Sequence, residues 1–243
     1  MTLSELQSLV IWPSFLPVLP VSAGGGYHEA LLRTSHPAGH IAIIQAAERA
    51  ETIWQLDIRM LRVALGVLAQ TRPALRIGVN VSAVTVQRRS DAWLTELARW
   101  RQHASRIVVE LTETAEHTIP GETIRFVAAC RAMGAKIAID DYDTGSFDDE
   151  LVAALRPDFI KLGNVWKGCA GGQEERVLLA AVRCLDRMHC VNVVVEWVDS
   201  EEKRSAAKVV GVTHMQGSCV ARHMDLDGIK RLFGDTKTHH SAA

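Results

Sequence analysis

Short apolar runs that stop on a polar side chain recur along this 243-residue chain, and their spacing constrains the fold more than any other feature. RIGVNVS (Arg76–Ser82) carries Asn80, RIVVELTE (Arg106–Glu113) carries Glu110 and Glu113, and KIAIDDYDTG (Lys136–Gly145) runs into Asp140 and Asp141. DFIKLG (Asp158–Gly163) bears Lys161, VNVVVEWV (Val191–Val198) bears Glu196, and HMQG (His214–Gly217) bears Gln216. Steps of 20 to 35 residues separate these polar positions, the length of one strand and one helix. Helical spacing fills the intervals, over 42–70, 90–103, 118–133, 148–156, 173–189, 200–209 and 225–233. Continuous apolar strands such as Val193–Val195 suit a parallel sheet covered on both faces. About eight such units in this length predict a TIM-type (β/α)8 barrel rather than a doubly wound sheet. The C-terminal ends of barrel strands form the active face, so these polar residues are expected to converge on one pocket.

No linker or composition break divides the chain. We expect a leader helix and loop over 1–16, the barrel over 17–235 and a disordered tail over 236–243. YHEALLR (Tyr27–Arg33), after the Gly24-Gly25-Gly26 turn, reads either as a strand carrying Glu29 or as the start of a helix. A net charge of −1 argues against a nucleic-acid polymer or a membrane surface as the main partner. The apolar run Leu9–Ala23 is broken by Pro13, Pro17 and Pro20, which excludes a membrane-spanning helix. The five cysteines have no CxxC spacing, and the N-terminus lacks the basic start of a signal peptide; both point to reduced thiols and a cytoplasmic protein.

Two adjacent carboxylates at a strand mouth repel each other unless they are solvated or neutralised, and a divalent cation is the usual neutraliser. Several carboxylates and one carboxamide suit Mg²⁺ or Mn²⁺; zinc would want His or Cys. A shared Asp pair can hold two ions, the arrangement that activates water in phosphodiester hydrolysis, with Lys161 stabilising developing charge. Enolase-type barrels also set acids on successive strand ends with a lysine base, so the spacing leaves a lyase or racemase open.

The motifs together resemble the EAL domain, the bacterial cyclic di-GMP phosphodiesterase family. The tripeptide stands at Glu29-Ala30-Leu31, the Asn motif at Asn80-Val81-Ser82 and ExTE at Glu110-Leu111-Thr112-Glu113. DDFGTG reads Asp140-Asp141-Tyr142-Asp143-Thr144-Gly145, and LxPDxIK runs from Leu155 to Lys161. E-x-V-E/D is Glu196-Trp197-Val198-Asp199, and QG is Gln216-Gly217. The resemblance covers about 17 to 233. It implies an EAL-like barrel with one irregular or antiparallel strand, and metal ligation by Glu29, Asn80, Glu110, Asp140, Asp141 and Glu196. It makes Lys161 the catalytic lysine, with Glu29, Asp141 and Glu196 sharing the catalytic set, and Glu113 an anchor for the loop after the Asp pair. It assigns Leu31, Arg33 and Gln216 to the substrate or its water. The implied reaction is hydrolysis of cyclic di-GMP to linear pGpG with Mg²⁺ or Mn²⁺, inhibited by Ca²⁺, in a homodimer.

Three departures from the family pattern stand out. Asp143 replaces a Gly, the segment Ser146–Asp149 is more acidic than usual, and Gly163 stands where an Asp is usual after Lys161. They motivate an alternative: a catalytically weak or inactive domain acting as a cyclic di-GMP receptor or a protein-interaction module. Other residues carry plainer expectations. Asp199 reads as an N-cap, Trp166 and Trp197 as packing residues with base stacking the lesser alternative, and His28, His36 and His40 as polar rim groups.

Overall fold

The structure is a computed structural model describing residues 3–112, 119–144, 147, 149–185 and 192–234. Helix α1 (Leu3–Ser8) leads into β1 (Ile11–Pro20) and β2 (Tyr27–Thr34). Helices α2 (Gly39–Arg49) and α3 (Trp54–Leu68) precede β3 (Ile77–Ser82), and α4 (Ala83–Arg99) and α5 (Arg101–Ala104) precede β4 (Ile107–Thr112). Then come α6 (Pro120–Ala132), β5 (Lys136–Ile139), α7 (Asp149–Leu155) and β6 (Phe159–Leu162). The chain finishes with α8 (Glu174–Leu185), β7 (Val193–Val195), α9 (Glu201–Val210), β8 (His214–Met215) and α10 (Leu226–Phe233).

The eight strands close in sequence order. β1 is antiparallel to both β2 and β8, and every other neighbouring pair is parallel. This is the expected barrel with its single antiparallel strand. The strand starts at Ile11, inside the stretch that the sequence suggested as a leader. Its prolines hid it. Phe15 exchanges both backbone hydrogen bonds with Met224, on the side away from β2. Pro13 and Pro17 therefore turn their missing N–H groups to that same side, and the ladder to β2 is intact. YHEALLR is a strand, and the long helix expected over 42–70 is two, broken where Glu51 takes φ +53°.

Alternation along each strand builds the site. Ile77, Val79, Ile107, Val109, Ile137, Ile139, Ile160 and Val195 belong to the outer core under the helices. The opposite face points into the barrel, where Val18, Tyr27, Val108, Ala138, Phe159 and Val194 form a separate apolar plug. Two residues further on, on the same face, lie Glu29, Glu110, Asp140, Lys161 and Glu196. The plug closes the bottom and lifts a polar layer to the C-terminal mouth. At Gly78 a side chain would collide with Glu110 and the Tyr27 ring, so glycine there makes room for both layers.

Candidate active site

Lys161 is the hub of that layer and is 1% exposed. Its Nζ lies 3.0 Å from Glu29 Oε2, 2.7 Å from Glu110 Oε2, 2.7 Å from Asp140 Oδ1 and 3.0 Å from Glu196 Oε1. Lys161 donates a hydrogen bond to Glu29. Glu110 Oε2 and Asp140 Oδ1 meet the same ammonium as ion pairs. Glu29 also accepts from Asn80 Nδ2 on one oxygen and from Gln216 Nε2 on the other, both at 2.8 Å.

One ammonium cannot balance this many buried carboxylates. Burial, reinforced by neighbouring negative charge and only partly offset by Lys161, raises Glu110 and Asp140 above the ordinary range. The same causes push Asp141 up to about 6 and Glu196 up to about 8. Burial also acts on Glu29, but Lys161 and the amide hydrogen bonds outweigh it and hold that carboxyl low. Burial opposes the charge on Lys161, and the surrounding carboxylates outweigh it and raise its pKa.

The oxygens that lack hydrogen-bond partners test whether metal ions fit. Asn80 Oδ1, Glu110 Oε1 and Gln216 Oε1 are buried without one, and Glu110 Oε2 and Asp140 Oδ1 meet only the Lys161 ammonium. Hard oxygen donors left unsatisfied suit a hard divalent cation. Two groups offer one oxygen per residue within 4.8 Å of each other: Glu29, Glu110 and Asp140, then Asp140, Asp141 and Glu196. Asp140 belongs to both, so the donor set matches two adjacent ions.

Above the layer opens a cleft of about 800 Å³. Leu31, Arg33 and Gln216 line it with the carboxylates, although Gln216 is 2% exposed and bonded to Glu29. Trp197 also lines it, as do Arg222 and His223, which the sequence did not single out. Glu113 lies outside the described residues. Asp199 is not the cap of α9; Ser200 accepts from Lys203 N–H, while Asp199 pairs with the Lys203 ammonium. His28 leaves the rim and packs edge-on against Phe233 on the outer face, and His40 alone of the three lines the cleft. Trp166 packs as expected, at 8% exposure, with its indole N–H bonded to the Glu196 carbonyl. Trp197 does not pack: it is 68% exposed.

The EAL domain family model matches residues 10–223. This chain belongs to the EAL domain family. Among curated relatives, cyclic di-GMP phosphodiesterase PdeF of Escherichia coli is 26% identical over 224 residues, which cover 87% of this chain and 30% of PdeF. Cyclic di-GMP phosphodiesterase PdeB of Shewanella oneidensis is 22% identical, over 82% of this chain and 24% of its own. The chain thus spans under a third of these relatives. The solved FimX EAL domain from Pseudomonas aeruginosa, bound to c-di-GMP, superposes with a TM-score of 0.77 at 18% identity, covering 92% of this chain and 94% of that one. A manganese and cyclic di-GMP complex of Klebsiella pneumoniae BlrP1 superposes with a TM-score of 0.71 at 22% identity, covering 89% and 56%. These likenesses carry the EAL fold. Among the described residues no helix is long and apolar enough to cross a membrane.

Proposed function

We propose that this EAL domain is a phosphodiesterase that hydrolyses cyclic di-GMP to linear pGpG. The observation that carries the reading is the pair of carboxylate groups sharing Asp140, beside the buried, unpartnered oxygens of Asn80 and Glu110. Glu29, Asn80, Glu110 and Asp140 would hold one ion, and Asp140, Asp141 and Glu196 the other. Bound Mg²⁺ or Mn²⁺ supplies an activated water and neutralises the diester's charge. Lys161 holds the attacking water against the carboxylates and stabilises the charge that develops on the phosphoryl oxygens. Asn80 and Gln216 fix Glu29 in place. Arg33 and Arg222, on the cleft wall, meet the phosphates. One P–O3′ bond breaks; the water's hydroxyl goes to phosphorus and its proton ends on the 3′ oxygen. Ca²⁺ is expected to fill the site without supporting turnover, and the protein to work as a homodimer.

The curated relatives named cyclic di-GMP phosphodiesterases and the nucleotide-bound neighbours support the choice of substrate. Chromatography of cyclic di-GMP incubated with the protein and Mn²⁺ tests it: pGpG should accumulate, and Glu29→Ala should stop it. Nucleotide binding without product would favour a receptor. Neither binding nor product would favour a protein-interaction module.

A further inference from the structure

Trp197 is the most exposed large apolar side chain among the described residues, yet it directly follows the carboxylate Glu196 and lines the catalytic cleft. Its backbone stands at φ +53°, a region that disfavours a bulky side chain. Such a conformation persists where the surroundings over-determine it. Here they do. The carbonyl before Trp197 accepts from the Trp166 indole N–H at 2.7 Å, and Trp197's own carbonyl accepts from Lys203 Nζ at 3.2 Å. The next residue, Val198, donates its N–H to the Gln216 carbonyl at 3.1 Å. Lys203 is itself tied down, 2.8 Å from Asp199 Oδ1 and 5.5 Å above the Trp166 ring. The peptide is clamped on both sides, and the result is an indole displayed over a cleft that also presents Arg33 and Arg222.

An aromatic face beside guanidinium groups and a divalent-cation site matches a nucleotide: the base stacks while the charges take its phosphate. The geometry points to Trp197 as the stacking platform for one purine base of the dinucleotide substrate, a binding and specificity residue. The inference rests on the phosphodiesterase reading and adds to it the surface that holds the base.

The test is steady-state hydrolysis of cyclic di-GMP with Mn²⁺ by Trp197→Ala, Trp197→Gly and Trp197→Phe, with Tm and light scattering on each. Glycine relieves the φ +53° backbone, so that variant should fold with Tm unchanged or higher. Loss of one stacked base should raise KM about 5- to 150-fold in Ala and Gly. Phe should keep KM within about threefold of the parent, and kcat should hold in all three. If the parent turns over cyclic di-GMP and the Ala and Gly variants keep its KM, the stacking role is wrong and the phosphodiesterase reading stands. A change in oligomeric state with unchanged KM would also overturn it, making Trp197 a contact between copies. A parent that neither binds nor cleaves the nucleotide removes both readings.

Discussion

Asp143 Oδ1 accepts the backbone N–H of Gly163 at 2.9 Å, and that of Asn164 at 3.0 Å, so two positions that depart from the EAL pattern meet in space. The carboxylate missing after Lys161 leaves room that Asp141 fills, because a side chain at Gly163 would collide with Asp141 Oδ1. Asp143 then holds the Gly163 backbone against the loop that carries Asp141. The departures compensate each other and leave the Asp140, Asp141 and Glu196 group assembled. This favours a working site over a decayed one.

From that contact comes a prediction for Gly163→Ala. The added methyl must push Asp141 out of its group while the barrel core is untouched. Mn²⁺ affinity measured calorimetrically should fall roughly 10- to 100-fold, the range seen when groups that orient metal ligands are lost. Tm without metal should hardly move.

Lys161→Ala leaves Glu29, Glu110, Asp140 and Glu196 without their shared cation. Removing one partner of a buried ion cluster costs about 3–5 kcal/mol, so the metal-free variant should melt roughly 10 °C below the parent. Mn²⁺ should restore much of that stability by binding the folded state. Turnover should stay at least about 100-fold down even when Mn²⁺ saturates the site.

A pH effect is built into the packing of α3 against the end of β3. Burial pushes the Asp57 carboxyl up to about 7, although its Oδ2 accepts from Thr85 Oγ1 at 2.5 Å and Ser82 N–H at 3.1 Å. A carboxyl raised in the folded state favours folding when protonated, below its unfolded value near 4. That contribution is lost as pH climbs through about 7. The parent should therefore lose stability relative to Asp57→Asn between pH 4 and 7, by at most about 4 kcal/mol. The asparagine carbonyl can still accept both hydrogen bonds, so thermal melts across that range isolate the charge.

The parallel strands and their terminal acids were legible because each combines an unbroken apolar run with a polar residue on the inward face two positions past the plug, as Val108 is to Glu110 and Phe159 to Lys161. β1 was not, since its prolines read as breakers until the antiparallel register shows which way their nitrogens face. The break at Glu51 carries neither Gly nor Pro, so periodicity runs through it. The bond from Asp143 to Gly163 joins residues 20 apart, and no local pattern announces it. Trp197 was misread for a related reason: an apolar side chain implies burial unless the backbone turns it out, and the φ that does so depends on Trp166 and Lys203. Arg222 and His223 reach the cleft only through the course of the chain after β8.

The stoichiometry of Mn²⁺ tests the shared site most directly. Titration of the metal-free protein should give two ions per chain, Glu196→Ala should keep one, and Asp140→Ala, which removes the carboxylate common to both groups, should lose both. Two ions still bound by Asp140→Ala, or none bound by the parent, would contradict the account.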